Sequence, residues 1–142
     1  MKFARFVFPA LITIIVGCAH DDPRLHGTWQ SNRDATVAKA FQRDPRWTNA
    51  PPEKVDRFKN LFGHMSITYR NGVGTAHFHD SVYSFRYRVV GRGADYVVMR
   101  DDSPMDLGRD IRIRFVDGNR AYWIDTGPLG FGMEERFDKV QK

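Results

Sequence analysis

The 142-residue chain predicts a mainly β fold: an eight-stranded antiparallel up-and-down barrel with one or two helices inserted between strands 1 and 2. Three observations carry this. From His64 onward apolar and polar residues alternate with a period of two, the pattern of half-buried strands. Three tight-turn signals, Asn71-Gly72, Gly91-Arg92-Gly93 and Asp117-Gly118-Asn119, link strands 2 to 3, 4 to 5 and 6 to 7. The helical periods fall between the first strand and His64.

Before the first strand comes a different kind of segment. Lys2 and Arg5 give a positive start, Phe6 to Val16 is an almost uninterrupted apolar run, and the small residue Gly17 precedes Cys18. This is the layout of a secretion signal, and the run is too short to remain as a membrane-spanning helix. The tetrapeptide Ile15-Val16-Gly17-Cys18 resembles the lipobox of bacterial lipoproteins. The resemblance implies that residues 1–17 are removed, that a diacylglycerol is attached to the Cys18 thiol, and that the new amino terminus is acylated, with palmitate as the expected chain. Ala19 stands where an aspartate would retain many such proteins at the inner membrane, which implies an outer-membrane anchor facing the periplasm. Several acyl chains, at roughly 0.8 kcal/mol per buried methylene, anchor stably where one alone is marginal. Residues 18–24 are then a lipidated tether and residues 25–142 one domain, a length sufficient for a modest single core.

Composition narrows the partners. Loss of residues 1–17 removes Lys2 and Arg5 but no acid, so the net charge falls from +5 to +3. Acids and bases are interspersed, without the basic stripe or arm of a nucleic-acid protein, so no nucleic-acid partner is expected. With Cys18 the single cysteine, disulfides are excluded and the core alone must hold the fold. A monomer is expected.

Gly27 to Ser31 reads as strand 1. A short helix is expected over Ala35 to Arg43, ended before Pro45. A second opens at Pro52-Glu53, carries Val55, Phe58, Leu61 and Phe62 at helical spacing, and stops at Gly63. Strands then follow around Met65–Tyr69, Ala76–Phe78, Tyr83–Val89, Asp95–Arg100, Ile111–Val116, Arg120–Asp125 and Met133–Val140. In a meander the three tight turns must share one end, leaving the longer connections to rim the other, where such barrels place a binding mouth.

Two motifs carry a resemblance to a known family. Leu25-His26-Gly27-Thr28-Trp29 resembles the lipocalin Gly-x-Trp motif, and Ala94-Asp95-Tyr96 is similar to the Thr-Asp-Tyr motif of the same family. Both fall at the tight-turn end, which matches the lipocalin closed end. Strand 8 is the last element expected in residues 1–142, so the resemblance is not expected to include the carboxy-terminal helix of lipocalins. Arg136 and Arg120 are the candidates for the arginine that crosses the motif Trp. The helical insertion resembles the lid of the related fatty-acid-binding proteins. The resemblance, to a lipocalin-like calycin of bacterial lipoprotein type, implies structural roles for Gly27, Trp29, Asp95 and Tyr96, with Trp29 plugging the barrel floor.

The candidate interior is Met65, Ile67, Phe78, Phe85, Tyr87, Ile111, Ile113, Phe115, Tyr122 and Ile124, with Arg86, Arg88, Arg112 and Arg114 outward. Turn geometry pairs Phe115 with Tyr122 and Ile113 with Ile124. Glu135 shares a face with Phe137 and is the acid expected to point inward, where it could anchor a polar ligand head. Eight strands leave an interior that side chains can fill or that can hold one small ligand. Three function classes follow. One is a tethered binder of a small amphipathic or hydrophobic molecule, with the Leu129-Gly130-Phe131 tip and the Glu53 to Phe62 helix as its lid. A second is a protein-binding envelope lipoprotein of inhibitor type with a filled barrel, although the small barrel lipoproteins that inhibit lysozyme usually carry cysteines this domain lacks. The third is a metal-handling protein: folding about Asn71-Gly72 pairs His64 with His79 and puts His77 on the same face, a three-imidazole arrangement suited to zinc. Asp101, Asp102, Asp106 and Asp110 lack calcium-loop spacing. No nucleophile elbow, phosphate loop or His-Glu-x-x-His helix is present, so neither enzyme activity nor a cofactor is expected.

Overall fold

The computed structural model describes residues 21–102, 110–125 and 134–141. Strands β1 (Gly27–Ser31), β2 (Met65–Arg70), β3 (Val73–Phe78), β4 (Ser81–Arg92), β5 (Tyr96–Asp101), β6 (Asp110–Val116), β7 (Ala121–Asp125) and β8 (Glu134–Lys139) close into a barrel in sequence order. All neighbours are antiparallel, and β1 completes the ring against β8. The expected registers hold: Arg70 faces Val73, Phe115 faces Tyr122, and Ile113 faces Ile124. Asn71-Gly72 and Asp117-Gly118-Asn119 form their turns with positive φ, the conformation for which Asn, Asp and Gly are suited.

One expected turn moves. Gly91 and Arg92 belong to β4, which runs to Arg92 with a register slip between Val89 and Gly91, and the chain reverses over residues 93–95. The β3–β4 link, expected as part of the looped rim, is a two-residue turn at His79-Asp80 with His79 at φ 51°. After both changes the β2–β3, β4–β5 and β6–β7 turns still share one end of the barrel, as expected of a meander.

Between β1 and β2 lie α1 (Arg33–Arg43), a 3₁₀ helix (Pro45–Asn49) and α2 (Pro52–Lys59). The Asn32 side chain caps α1 by accepting from the Ala35 amide, so the helix begins two residues earlier than its apolar spacing suggests. Asp44 caps the 3₁₀ helix through the Arg46 amide, and Pro52 opens α2. α2 ends at Lys59, short of the expected stop at Gly63, and Asn60 to Phe62 complete a turn.

The helices seal a seam. β1 and β8 pair over Trp29–Ser31 and Phe137–Lys139, above which the strands diverge. There the Asn32 amide donates to the Arg136 carbonyl at 2.8 Å, and the Arg136 amide donates to buried Thr36 Oγ1 at 3.0 Å. α1 thus takes up backbone groups on the edge of β8 that would otherwise lack a partner. Trp123, on the outer face of β7, receives Lys39 Nζ at 3.8 Å from its ring centre and the Arg136 guanidinium at 5.9 Å.

Candidate functional site

The barrel interior divides into a packed floor and a more open mouth. In the floor, Trp29, Tyr69, Val97, Met99, Ile113, Tyr122 and Phe137 are fully buried. Trp29 lies 4.7 Å from Tyr122, which stacks on Phe137 at 5.2 Å. Trp29 Nε1 donates to the Leu25 carbonyl at 2.6 Å, so the indole is satisfied without a ligand. Lys139, placed opposite Trp29 by the β1–β8 register, crosses its ring at 5.0 Å. Neither arginine candidate does so: Arg136 lies over Trp123, on the other face of the wall, and Arg120 donates to the Asp117 carbonyl in its own turn. Gly27 has φ 117°, and a Cβ there would stand 3.1 Å from Lys139 Cε. The positive φ therefore favours glycine as the first residue of Gly-x-Trp, whereas the flexible Lys139 side chain over it needs to move only a few tenths of an ångström to admit a Cβ.

Residues Asp21 to Leu25, expected as part of a polar tether or as its junction with the domain, are packed across this floor. Leu25 and Asp22 are buried. Arg24 donates to the Gly93 and Ala94 carbonyls at 3.0 and 2.9 Å and to the Tyr96 carbonyl at 3.3 Å, while pairing with Asp22 at 2.9 Å. Its guanidinium stands 5.0 Å from the Phe115 ring centre. The Arg24 hydrogen bond, outweighing burial, holds the Asp22 carboxyl below its usual range, and Arg92 adds to the effect. Asp21 accepts from Tyr87 Oη at 2.6 Å and pairs with His26 at 2.6 Å. Burial alone would raise its pKa, but these hydrogen bonds lower it overall. Asp95 is exposed and serves through its carbonyl, which accepts from the Phe115 amide. Tyr96 lies under Arg112, whose guanidinium is 4.1 Å from the ring.

Above the floor is a small polar layer. Glu135 does point inward and is buried; Ser31 Oγ donates to its Oε1 at 2.5 Å and accepts from the Gly63 amide at 2.9 Å. Burial raises the Glu135 pKa, with the Ser31 hydrogen bond opposing. Tyr122 Oη, beside the Tyr69 hydroxyl, is fully buried and lacks a well-formed hydrogen bond among the described residues. Burial pushes the Tyr69 hydroxyl up to about 12.

Over this layer Met65, Ala76, Phe85, Ile111 and Ile124 pack against the core yet stay partly accessible, while Ile67, Tyr87, Ile113 and Phe115 are buried beneath or beside them. An aromatic row runs outward along β4: Tyr87 is buried, Phe85 partly exposed, and Tyr83, stacked on Phe85 at 6.0 Å, is 49% exposed. Phe85 occupies the space that Gly74 leaves, since a Cβ at Gly74 would come within 2.2 Å of its ring. Leu25, Tyr69, Val89, Val97 and Met99 also belong to the interior, beyond the residues expected there, and period-two spacing signals all of them but Leu25. Phe78, expected inside, is 45% exposed because β3 ends there, and its ring meets His79 and His64 instead. Phe131 and the rest of the 129–131 tip lie outside the described residues, as do Cys18 and Asp106.

Two further expectations are corrected. His64 and His79 stack at 4.6 Å, but His77 is exposed on β3 opposite Ser66, and the positive φ at His79 breaks the alternation that would align the two. No group of three or more His, Cys, Asp or Glu among the described residues is arranged to hold a metal. The α2 region does not pack on the barrel interior as a lid: Phe58 and Phe62 join Val37, Ala40, Phe41 and Trp47 in a separate core.

Comparison with family models, with curated proteins and with solved structures gives no match. The site must therefore be read from its own chemistry, which is a buried carboxyl and a buried phenol beneath a partly accessible apolar ring.

Proposed function

We propose that this chain is a lipid-anchored envelope protein whose barrel mouth holds a small amphipathic molecule. The observation that carries the reading is that buried Glu135 and the poorly satisfied Tyr122 hydroxyl, close enough to interact electrostatically, lie in the interior against which Met65, Ala76, Phe85, Ile111 and Ile124 pack. A buried hydroxyl held only by a poorly formed contact with Tyr69 has a free energy cost that a ligand's polar end would relieve, while the apolar ring would take its body. The packed floor limits the occupant to something shallow and small. The anchor reading rests on Cys18 and the signal-like run before it.

Native mass spectrometry of the full chain, released gently from the envelope of its own host, tests both halves. The reading expects a lipid mass that Cys18→Ser removes and a noncovalent small mass that Ala76→Trp, which fills the mouth, displaces. An unmodified Cys18 overturns the anchor. Absence of the small mass, or its retention in a folded Ala76→Trp protein, overturns the mouth site.

A second reading, protein binding, is favoured by one observation. The β3–β4 hairpin tip exposes Phe78, Tyr83 and Val82, the last at 63%, at the end opposite the docked Asp21–Leu25 segment. A stable complex with a single envelope protein, disrupted by Val82→Asp in a chain carrying no small mass, would select it.

A further inference from the structure

The helical layer encloses a groove separate from the barrel mouth. α1, the 3₁₀ helix, α2 and the start of β8 surround about 430 Å³, within the range of small-molecule sites. Ala40, Trp47, Phe58 and Leu61 give it an apolar lining, with Trp47 and Phe58 rings 4.2 Å apart and Leu61 54% exposed. Lys39, Arg43, Lys54 and Arg57 stand around it, against the two acids Asp44 and Glu134.

The charges are unevenly matched. Glu134 is neutralised by Lys39, by Arg43 at 3.1 Å and by Arg114 at 3.5 Å. Asp44 is engaged by Arg46 through two hydrogen bonds of 2.8 Å. On the α2 side, Lys54 and Arg57 have no ion-pair partner among the described residues. Arg57 Nε donates only to the Glu53 carbonyl at 3.3 Å, and Lys54 Nζ stands 5.6 Å from the Trp47 ring centre. The groove therefore has an apolar, aromatic lining flanked on one side by two cations held in no close ion pair, although Lys54 acts on Asp44 from a distance and helps to lower its pKa. That is the complement of a molecule with one acid head and an apolar body.

We infer that this groove is a second binding site, for a monomeric anionic amphiphile of the carboxylate class, with Lys54 and Arg57 receiving the acid group and Trp47, Phe58 and Leu61 the tail. It shares no residue with the mouth, so either reading can fail without the other.

Photolabelling of the full chain in neutral-lipid nanodiscs tests the site, using dodecanoate that bears a diazirine near its tail end and the matching dodecanol as control. The acid should label the segment from Lys39 to Leu61 at least five times more strongly than the alcohol. Lys54→Glu/Arg57→Glu should abolish that preference, Leu61→Ser should weaken labelling by both, and Ala76→Trp should leave labelling intact. Since Lys54, Arg57 and Leu61 are exposed, these variants test the groove without disturbing the core. Labels on the barrel strands, equal labelling by acid and alcohol, or no labelling would each overturn the inference. Labelling that appears only after anionic lipid is added would assign the groove to a membrane surface and overturn it as well.

Discussion

Ser31 Oγ donates to Glu135 Oε1 at 2.5 Å inside the barrel wall, joining β1 to β8 just where the two strands part. Because the same hydroxyl accepts from the Gly63 amide, one serine ties together the first strand, the last strand and the end of the helical insertion. Glu135 has its pKa raised by burial, so the folded state binds its proton more tightly than the unfolded chain does. Stability linked to this group is greatest below the ordinary glutamate range and falls as pH rises through the folded-state value. Glu135→Gln should remove that slope and stabilise the ligand-free protein at pH 8 by on the order of 1 kcal/mol, since no charge is then buried. Urea melts at pH 5 and pH 8 check this; a variant as pH-sensitive as the parent would refute it.

Gly74 and Phe85 face each other across β3 and β4, and the ring lies where a Cβ would be. Gly74→Ala should destabilise by about 1–3 kcal/mol through overpacking. The same change made in a Phe85→Ala background should cost clearly less, because the ring it strikes is gone. A double-mutant cycle on urea midpoints gives the coupling, and additive effects would contradict the packing described.

Thr36 is the hinge of the α1–β8 seam, its Oγ1 accepting from the Arg136 amide. Thr36→Val keeps the shape but leaves that amide unpartnered, at a cost of about 1–3 kcal/mol, while Thr36→Ser should retain most of the stability. Amide exchange at Arg136 should accelerate in the valine variant alone.

Asp22 is buried against Arg24 and Arg92, and its carboxyl titrates below the usual 3.8. A lowered pKa contributes stability above the ordinary aspartate value that disappears as pH falls through the lower folded value. Asp22→Asn should therefore cost about 1–2 kcal/mol at pH 7, the partners being partly solvated, and progressively less below pH 4. Thermal melts of parent and variant should converge in acid; a constant gap would sink the assignment.

The strand order and most registers were legible because turn chemistry and period-two alternation agree. Asn71-Gly72 sets β2 against β3, and that register alone puts Met65 opposite Phe78. Glu135 could be placed inward from its offset to Phe137. What escaped were features decided by distant contacts. Arg24 looked like a polar tether residue because nothing local shows that three carbonyls of the residue 93–96 turn await it. Lys139 over Trp29 depends on how the last strand meets the first, and Phe58 and Phe62 could have faced the mouth as well as α1 by spacing alone. His79 illustrates the opposite error: alternation was carried one residue past the point where positive φ ends the strand.

The docking of Asp21–Leu25 has a mechanical consequence for the proposed anchor. If Cys18 carries lipid, three peptide steps separate it from Asp21, a leash that can reach at most roughly 10 Å. The domain would then have little freedom to tumble relative to the bilayer plane, and any tug on it would load the Asp21–Tyr87 and Arg24–turn contacts before reaching the strands. The hairpin tip at the far end would be held at a nearly constant standoff, so lengthening the leash with a glycine-serine insert after Ala19 should change what that tip can reach without altering the barrel.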